Sequence, residues 1–514
     1  MPLTADPSHG ESALKNTNTI VLDGRSLTTA RVLAVANGAK VSLKTEALET
    51  MAAARRIIDQ AVEQRLPVYG VTTGLGPRVT QAMPAESIDT FSLNTIRGRA
   101  HAVGAPLDAR WVRAGMAVRV NTLLIGAAGV RPELAHFLGS CLNAGLTPLV
   151  PETGTIGVAD LAWGGALGRC VIGEGEMIMP DGTRQPAQIA LASANLAPYK
   201  PQPREGLALV SHSTITAGMA AIGWMQIQQC YEAAQTAAAL SMEGFRSNLS
   251  PLDPRVLTLR PQPGQAEAAS GLRARLAGSA LFNDGEPRRL QDPLSLRNVA
   301  QVHGTVRATL DFAGTALDSE LNGASDNPAV LPEPGIILSN GGYLPPHLCV
   351  SLTALSQSLV HLAALQVARI SKLLFKRFSG LSDGLSFAGA EGAGLGPVMK
   401  TAEALYAEIA HAATPPPIYP GVSADGLEDV QTHAAIPAKA LFAIAVRLRQ
   451  LSAVEGIVAA QAVDLREPAV VLPQPLQAVF NTIRQHCPPL QQDRSLGAEI
   501  DALAEQIKHG AFDR

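Results

Sequence analysis

Residues 205–244 read EGLALVSHSTITAGMAAIGWMQIQQCYEAAQTAAALSMEG, and this stretch decides the fold. It carries a helical pattern for longer than an ordinary globular helix does, so it must bury its faces along other long helices. Ala, Gly, Ser and Thr crowd it, most densely over Ala233 to Leu240, which lets neighbouring backbones come close. Such faces could equally be contacts between subunits. Further helical candidates run over Ala109 to Ala127, Pro132 to Ala144, Ser295 to Leu317, Pro346 to Phe375, Leu395 to Ala412 and Ala435 to Gln461, with earlier patterning near Thr28 and over Thr45 to Gln64. The fold expected from them is mainly all-α, built on a central bundle of long helices.

Outside the bundle, Thr19 to Leu22 reads as a short strand ending in the Asp23-Gly24 turn signal, so a small α/β, loop-rich region comes first. Leu66 to Pro77, Thr153 to Gly168, Leu321 to Pro346, Ser379 to Gly396 and Thr414 to Gly426 are rich in glycine or proline and read as loops. Loops on a rigid scaffold are where reacting groups are presented. With no internal repeat and no clear linker, residues 19–514 form one catalytic body: a loop-rich part to about 200, the bundle over about 201–465, and a helical C-terminal part. Met1 to Asn18 is polar and expected to be loosely ordered.

Hydrophobic residues make up 46% of the chain and aromatics only 4%, which suits helices packed through small and aliphatic side chains. A net charge of -3 and the lack of a basic run with interleaved aromatics argue against nucleic acid. The N-terminus has no apolar signal core, and no uninterrupted apolar span of membrane-crossing length is read, so a cytoplasmic protein away from membranes is expected. The five cysteines are scattered and read as reduced, buried thiols, and the eleven histidines show no metal-binding pairing. Neither a metal nor a cofactor is expected.

Several motifs stand in order along the chain: Tyr69-Gly70-Val71-Thr72-Thr73-Gly74-Leu75-Gly76, Arg99-Ala100-His101-Ala102-Val103-Gly104, Gly154-Thr155-Ile156-Gly157-Val158-Ala159-Asp160-Leu161-Ala162-Trp163, and Arg204-Glu205-Gly206-Leu207-Ala208-Leu209. Gln291-Asp292-Pro293-Leu294-Ser295-Leu296-Arg297, Ser325-Asp326-Asn327-Pro328 and Leu427-Glu428-Asp429-Val430 follow. Together they resemble the histidine and aromatic amino acid ammonia-lyases over roughly Ile20 to Leu465. The resemblance implies a central bundle of long helices and a homotetramer whose active sites draw loops from more than one subunit. In that family the third motif contains Ala-Ser-Gly, which cyclises into an electrophilic methylidene-imidazolone. Here only Val158 and Ala159 stand between Gly157 and Asp160, and the electrophile is expected to be absent.

The resemblance makes Tyr69 the base on the substrate β-carbon. A phenol titrates near ~10 in water, so that role needs cations or helix N-termini nearby; the alternative is a tyrosine capping a packed loop. Arg297 matches the arginine that grips the substrate carboxylate, a task suited to its planar fork, though it could instead pair with Asp292. Asn327 matches a polar contact near the same carboxylate, or makes an Asx-turn before Pro328. Glu428 matches the glutamate facing the substrate ring or amine, or is a carboxylate favoured at a helix start. His101 corresponds to a histidine near the substrate ring, with a structural role as the alternative.

The departures from the family cluster around the lost electrophile: Ser211-His212 replaces a supporting asparagine and its glycine, Leu294 a tyrosine, and Tyr343 and Trp163 stand where other residues are usual. A substrate with a good leaving group needs no electrophile, and a quaternary ammonium leaves as a neutral amine. The chain therefore resembles the family branch called ergothionases, which lack the prosthetic group and release trimethylamine from ergothioneine, leaving thiolurocanate. Trp163 and Tyr343 are candidates to face the methylated ammonium of this betaine, although core packing serves as well for either. Ser211, His212 and Lys400 complete the candidate substrate-binding set, and a snorkelling Lys400 is the plainer reading. Two rivals stand beside this function: another elimination within the superfamily, on a different betaine or on histidine, and a homologue that only binds.

Overall fold

The structure, a computed structural model, describes residues 19–387 and 391–513. The expectation for Met1 to Asn18 lies outside the described residues. The fold is mainly α-helical, and its centre is the 32-residue helix Thr214–Phe245. Ala435–Asp464 lies along it, and Ala109–Leu123, Val299–Asn322 and Pro346–Leu374 pack around the pair. Small residues make this closeness possible: a Cβ added at Gly218 would stand 2.5 Å from the backbone nitrogen of Gly115, so the Ala109–Leu123 and Thr214–Phe245 backbones touch. Between them the helices enclose fully buried leucines such as Leu240, Leu310, Leu359 and Leu448, each stabilising by about 1.5–3 kcal/mol. The Arg369–Glu455 ion pair joins two bundle helices inside this core, and the Ser241 hydroxyl donates to the same carboxylate at 2.9 Å.

The expected helix over 205–244 is in fact two, Glu205–Val210 and Thr214–Phe245. The break has a local cause. The His212 N–H donates to Ala159 O at 3.0 Å instead of continuing the ladder, and the His212 ring is held between Leu209 O and the Thr214 hydroxyl. Side-chain bonds of this kind compete with helix hydrogen bonds. The expected 295–317 helix likewise divides at Asn298 into Leu294–Arg297 and Val299–Asn322.

The expectation of a loop over 153–168 is corrected, because the helix Leu161–Val171 begins inside it. Its glycines are there for close packing. A Cβ on Gly164 would stand 2.4 Å from Val210 O, and one on Gly165 2.5 Å from the carbonyl carbon of Arg99. The membrane reading is corrected as well: by length and composition the stretches 205–245 and 346–374 are apolar enough to cross a membrane, but 94% and 56% of their most apolar windows are buried in the fold. They are apolar because they are core helices.

The expected short strand, Ile20–Leu22, pairs in parallel with Val41–Leu43. The other sheets among the described residues have two or three strands, and one hairpin, Ala329–Leu331 with Ile336–Leu338, forms inside the expected 321–346 loop. All five cysteines are buried and unpaired. Among the described residues no three His, Cys, Asp or Glu side chains gather as metal ligands would.

Candidate active site

A cavity of about 670 Å³ opens where six segments meet: the Pro67–Val79 loop, the chain at Arg99, the 158–161 turn, the helix break at Ser211, the 327–343 region and the 424–428 turn. It brings together Tyr69, Ser211, Asn327, Tyr343 and Glu428 from widely separated parts of the chain. Sequence reading passed over Arg99, which lines the same space.

Tyr69 lies half-buried at the start of the turn over 69–72, and its hydroxyl accepts the Gly76 N–H at 3.1 Å. Asn327 is fixed from below by the buried interior. The Asp326 carboxylate forms a two-bond pair with Arg119, at 2.8 and 3.0 Å, in which both side chains are 1% exposed. The fully buried Arg204 donates to the backbone carbonyls of Asn327 and Pro328 at 2.9 and 2.8 Å. The Asn327 side-chain oxygen accepts the Asn340 N–H at 3.0 Å, a link across the loop rather than the local Asx-turn.

Glu428 belongs to a short bridge with Ser423 and not to a helix start, so the macrodipole alternative does not hold; the next helix begins at Ala435. Burial raises the Glu428 carboxyl above its ordinary value, and the charge of Arg99 offsets part of this. For Arg99, burial lowers the guanidinium, while Tyr69 and Glu428 act to raise it. Arginine remains a cation throughout. Tyr69, Arg99 and Glu428 thus form one electrostatic group inside the cavity.

Where the electrophile would stand, the loop presents Val158 and Ala159. It is clamped from three directions: His433 N–H donates to Ile156 O at 3.1 Å, the Thr432 hydroxyl to Gly157 O at 2.8 Å, and His212 N–H to Ala159 O. Ala159 and Asp160 have φ of 57° and 41°, and the buried Asp160 carboxylate accepts the Thr155 hydroxyl and, at 2.6 Å, the Thr216 hydroxyl. The Val158-Ala159-Asp160 side chains offer no hydroxyl whose loss could make an exocyclic methylene. These residues do not fit a methylidene-imidazolone.

Several expected site residues lie elsewhere. Trp163 is corrected: its ring is wholly buried in the core, with the Lys439 ammonium 5.5 Å from its centre, so no ligand in the cavity reaches it. His212 is also fully buried, and burial, followed by the charge of Arg119, pushes its pKa down to about 3. It is a neutral structural residue beneath the site. His101 is exposed and lies outside the cavity, and Arg99, two residues earlier in the same motif, lines it instead. Arg297 donates to Gln291 Oε1 at 2.7 Å and makes no ion pair with Asp292, which accepts the Asn248 N–H at 2.7 Å. Lys400 is exposed. Neither Arg297 nor Lys400 lines the cavity of the single chain.

A family model described as aromatic amino acid lyase matches residues 27–485. The chain belongs to the aromatic amino acid lyase family. It is 33% identical to the histidine ammonia-lyase of Anaeromyxobacter dehalogenans over 96% of this chain and 99% of that one. It is 34% identical to the histidine ammonia-lyase of Symbiobacterium thermophilum over 95% and 96%. Among solved structures it resembles an ergothionase from Treponema denticola in complex with desmethyl-ergothioneine sulfonic acid, with a TM-score of 0.90 and 27% identity over 96% of this chain and 99% of the other. Histidine ammonia-lyase from Trypanosoma cruzi follows at TM-score 0.87 and 28% identity, over 96% and 94%. As a member of this family the chain is a carbon–nitrogen lyase with the ammonia-lyase fold.

Proposed function

We propose that this lyase eliminates trimethylamine from ergothioneine, leaving thiolurocanate, without a methylidene-imidazolone. The observation that carries the reading is the clamped loop that puts Val158 and Ala159 into the cavity beside Tyr69, Asn327 and Glu428. An elimination run there must use a leaving group that needs no electrophilic activation. The likeness to the Treponema denticola ergothionase supports the choice of substrate.

Tyr69 takes a proton from the β-carbon, and the electron pair of that C–H bond becomes the new α,β double bond. The Cα–N bond breaks, and its electrons leave on neutral trimethylamine. Glu428 holds the thioimidazole ring, Asn327 contacts the carboxylate, Ser211 lines the pocket, and the Tyr343 ring faces the methylated ammonium. Preorganised charge around the developing carbanion supplies the main acceleration. The enzyme works as a soluble cytoplasmic homotetramer, in which Arg297 and Lys400 of neighbouring subunits complete each cavity. In support, Leu290 and Leu294, close to Arg297, are 90% and 62% exposed and call for a cover.

Identity to named histidine ammonia-lyases favours a second reading, deamination of histidine. Parallel assays on ergothioneine, hercynine and histidine, following the ultraviolet absorbance of each conjugated product, separate the two. Binding without turnover, unchanged by Tyr69→Phe, would support a homologue that only binds.

A further inference from the structure

We propose that Arg99 determines specificity by binding the sulfur-bearing edge of the substrate ring, so that this cavity prefers a thioimidazole to an imidazole. The proposal rests on the ergothioneine reading and names the residue that makes the sulfur matter.

Arg99 lies between the helix Ile88–Arg97 and the strand Val103–Pro106. Its backbone is pressed against Gly165 of the helix Leu161–Val171, where even a methyl group would not fit, so the guanidinium rises from a fixed base. The side chain is half-buried and lines the cavity. Its donors are nearly idle: one long bond runs from Nη1 to Thr95 O at 3.4 Å, and no ion pair forms among the described residues. Three fully buried arginines have strong partners instead. Arg119 and Arg369 each hold a carboxylate through two bonds, and Arg204 holds three backbone carbonyls. A guanidinium brought partly out of water without an acceptor is costly, and an anion delivered by the ligand removes that cost.

Arg99 lines the same cavity as Tyr69, the proposed base, and Glu428, the proposed ring contact. This puts its charge at the ring end of the substrate. A thioimidazole offers a polarised sulfur as an acceptor that an imidazole lacks, and a guanidinium N–H can donate to it. When the β-proton passes to Tyr69, the freed electron pair forms the α,β double bond and expels the amine, and the negative charge that develops on the β-carbon is shared with the ring carbons beside it. A cation held against the ring stabilises that developing charge, and an interaction that strengthens along the reaction path accelerates it. An imidazole without sulfur gives Arg99 nothing comparable.

The substrate carboxylate is the other anion that Arg99 could bind, and a pair of ligands separates the two. Thiolurocanate and urocanate share the carboxylate and differ in sulfur, and neither is turned over by elimination of an amine. Calorimetric binding of both is measured for the wild type, Arg99→Lys and Arg99→Met, each checked for native circular dichroism and elution volume. Charge-assisted hydrogen bonds predict ~10–100-fold tighter binding of thiolurocanate by the wild type. Arg99→Met should bring that ratio close to one with urocanate binding kept, and Arg99→Lys should retain part of it. An unchanged ratio in Arg99→Met, equal weakening of both ligands, or no preference in the wild type each overturns the assignment. Ergothioneine turnover without a sulfur preference removes the role of Arg99 alone. A sulfur preference without ergothioneine turnover removes the reaction and leaves Arg99 standing.

Discussion

Replacing Asp326 with asparagine should destabilise the protein and disorder the site together, because the Arg119–Asp326 pair fastens the floor of the cavity. Both side chains are 1% exposed, two hydrogen bonds join them, and Arg119 also donates to Ala208 O at 2.6 Å. Each charge-assisted bond contributes about 1.5–3 kcal/mol, and breaking a buried pair from one side costs ~3–5 kcal/mol since the other charge stays buried. Urea unfolding followed by far-ultraviolet circular dichroism reads this directly. With a slope of at least ~3 kcal/mol per M for a chain this long, the midpoint should fall by about 1 M. Burial works to raise the Asp326 carboxyl, but Arg119 outweighs it and the net shift is downward. The stability this carboxylate contributes is therefore fully present above its unfolded value near ~3.9 and is lost only as pH falls through the lower folded value. The deficit of Asp326→Asn should accordingly be the same at pH 5 and pH 7. Arg119→Met combined with Asp326→Leu should recover most of the lost stability, as paired apolar replacements do. A midpoint unchanged within ~0.2 M in Asp326→Asn would refute the reasoning.

Other outcomes follow from the same geometry. Tyr69→Phe should lower kcat on ergothioneine by ~10²–10⁴-fold and leave substrate affinity within a few-fold; equal loss of both would mean that the tyrosine only shapes the loop. Because burial, partly offset by Arg99, raises the Glu428 carboxyl, the acid limb of kcat/KM should lie above the ordinary carboxylate range and disappear in Glu428→Gln. Trp163→Phe should leave KM for ergothioneine unchanged, while Trp163→Ala should cost ~3–5 kcal/mol of stability; a KM effect in Trp163→Phe would return the ring to the site. The His212 pKa is pushed to about 3 in the fold, so the unfolded chain takes up a proton that the folded one refuses. Stability should fall as pH drops from ~6.5, with a slope flattened by ~1.4 kcal/mol per pH unit in His212→Asn.

Much of the architecture was legible because long helices advertise themselves. Pro132–Ala144 matches its expected bounds, and Pro346–Leu374 differs by one residue. The interruption at Ser211 was not legible, since it depends on a bond from His212 to Ala159, far away in sequence. Glycine misled the reading at 161–171, where Gly164 and Gly165 permit contact with neighbouring backbone instead of a turn. The motifs named most of the groups around the cavity but could not separate a side chain that lines it from one that supports it. Trp163 and His212 carry suitable chemistry and are wholly buried. Arg99 was missed because the histidine in its motif drew the assignment. The usable signal was the arginine two residues earlier in the same short run, on the side nearer the preceding helix.

The central claim is that this lyase runs an elimination without an electrophile because its substrate carries its own leaving group. The most direct measurement is incubation of the purified protein with ergothioneine, hercynine and histidine, assaying trimethylamine or ammonia together with the absorbance of the conjugated product. The account predicts trimethylamine and thiolurocanate in equal amounts from ergothioneine, and no ammonia from histidine. Release of ammonia and urocanate from histidine, with ergothioneine left intact, would contradict it.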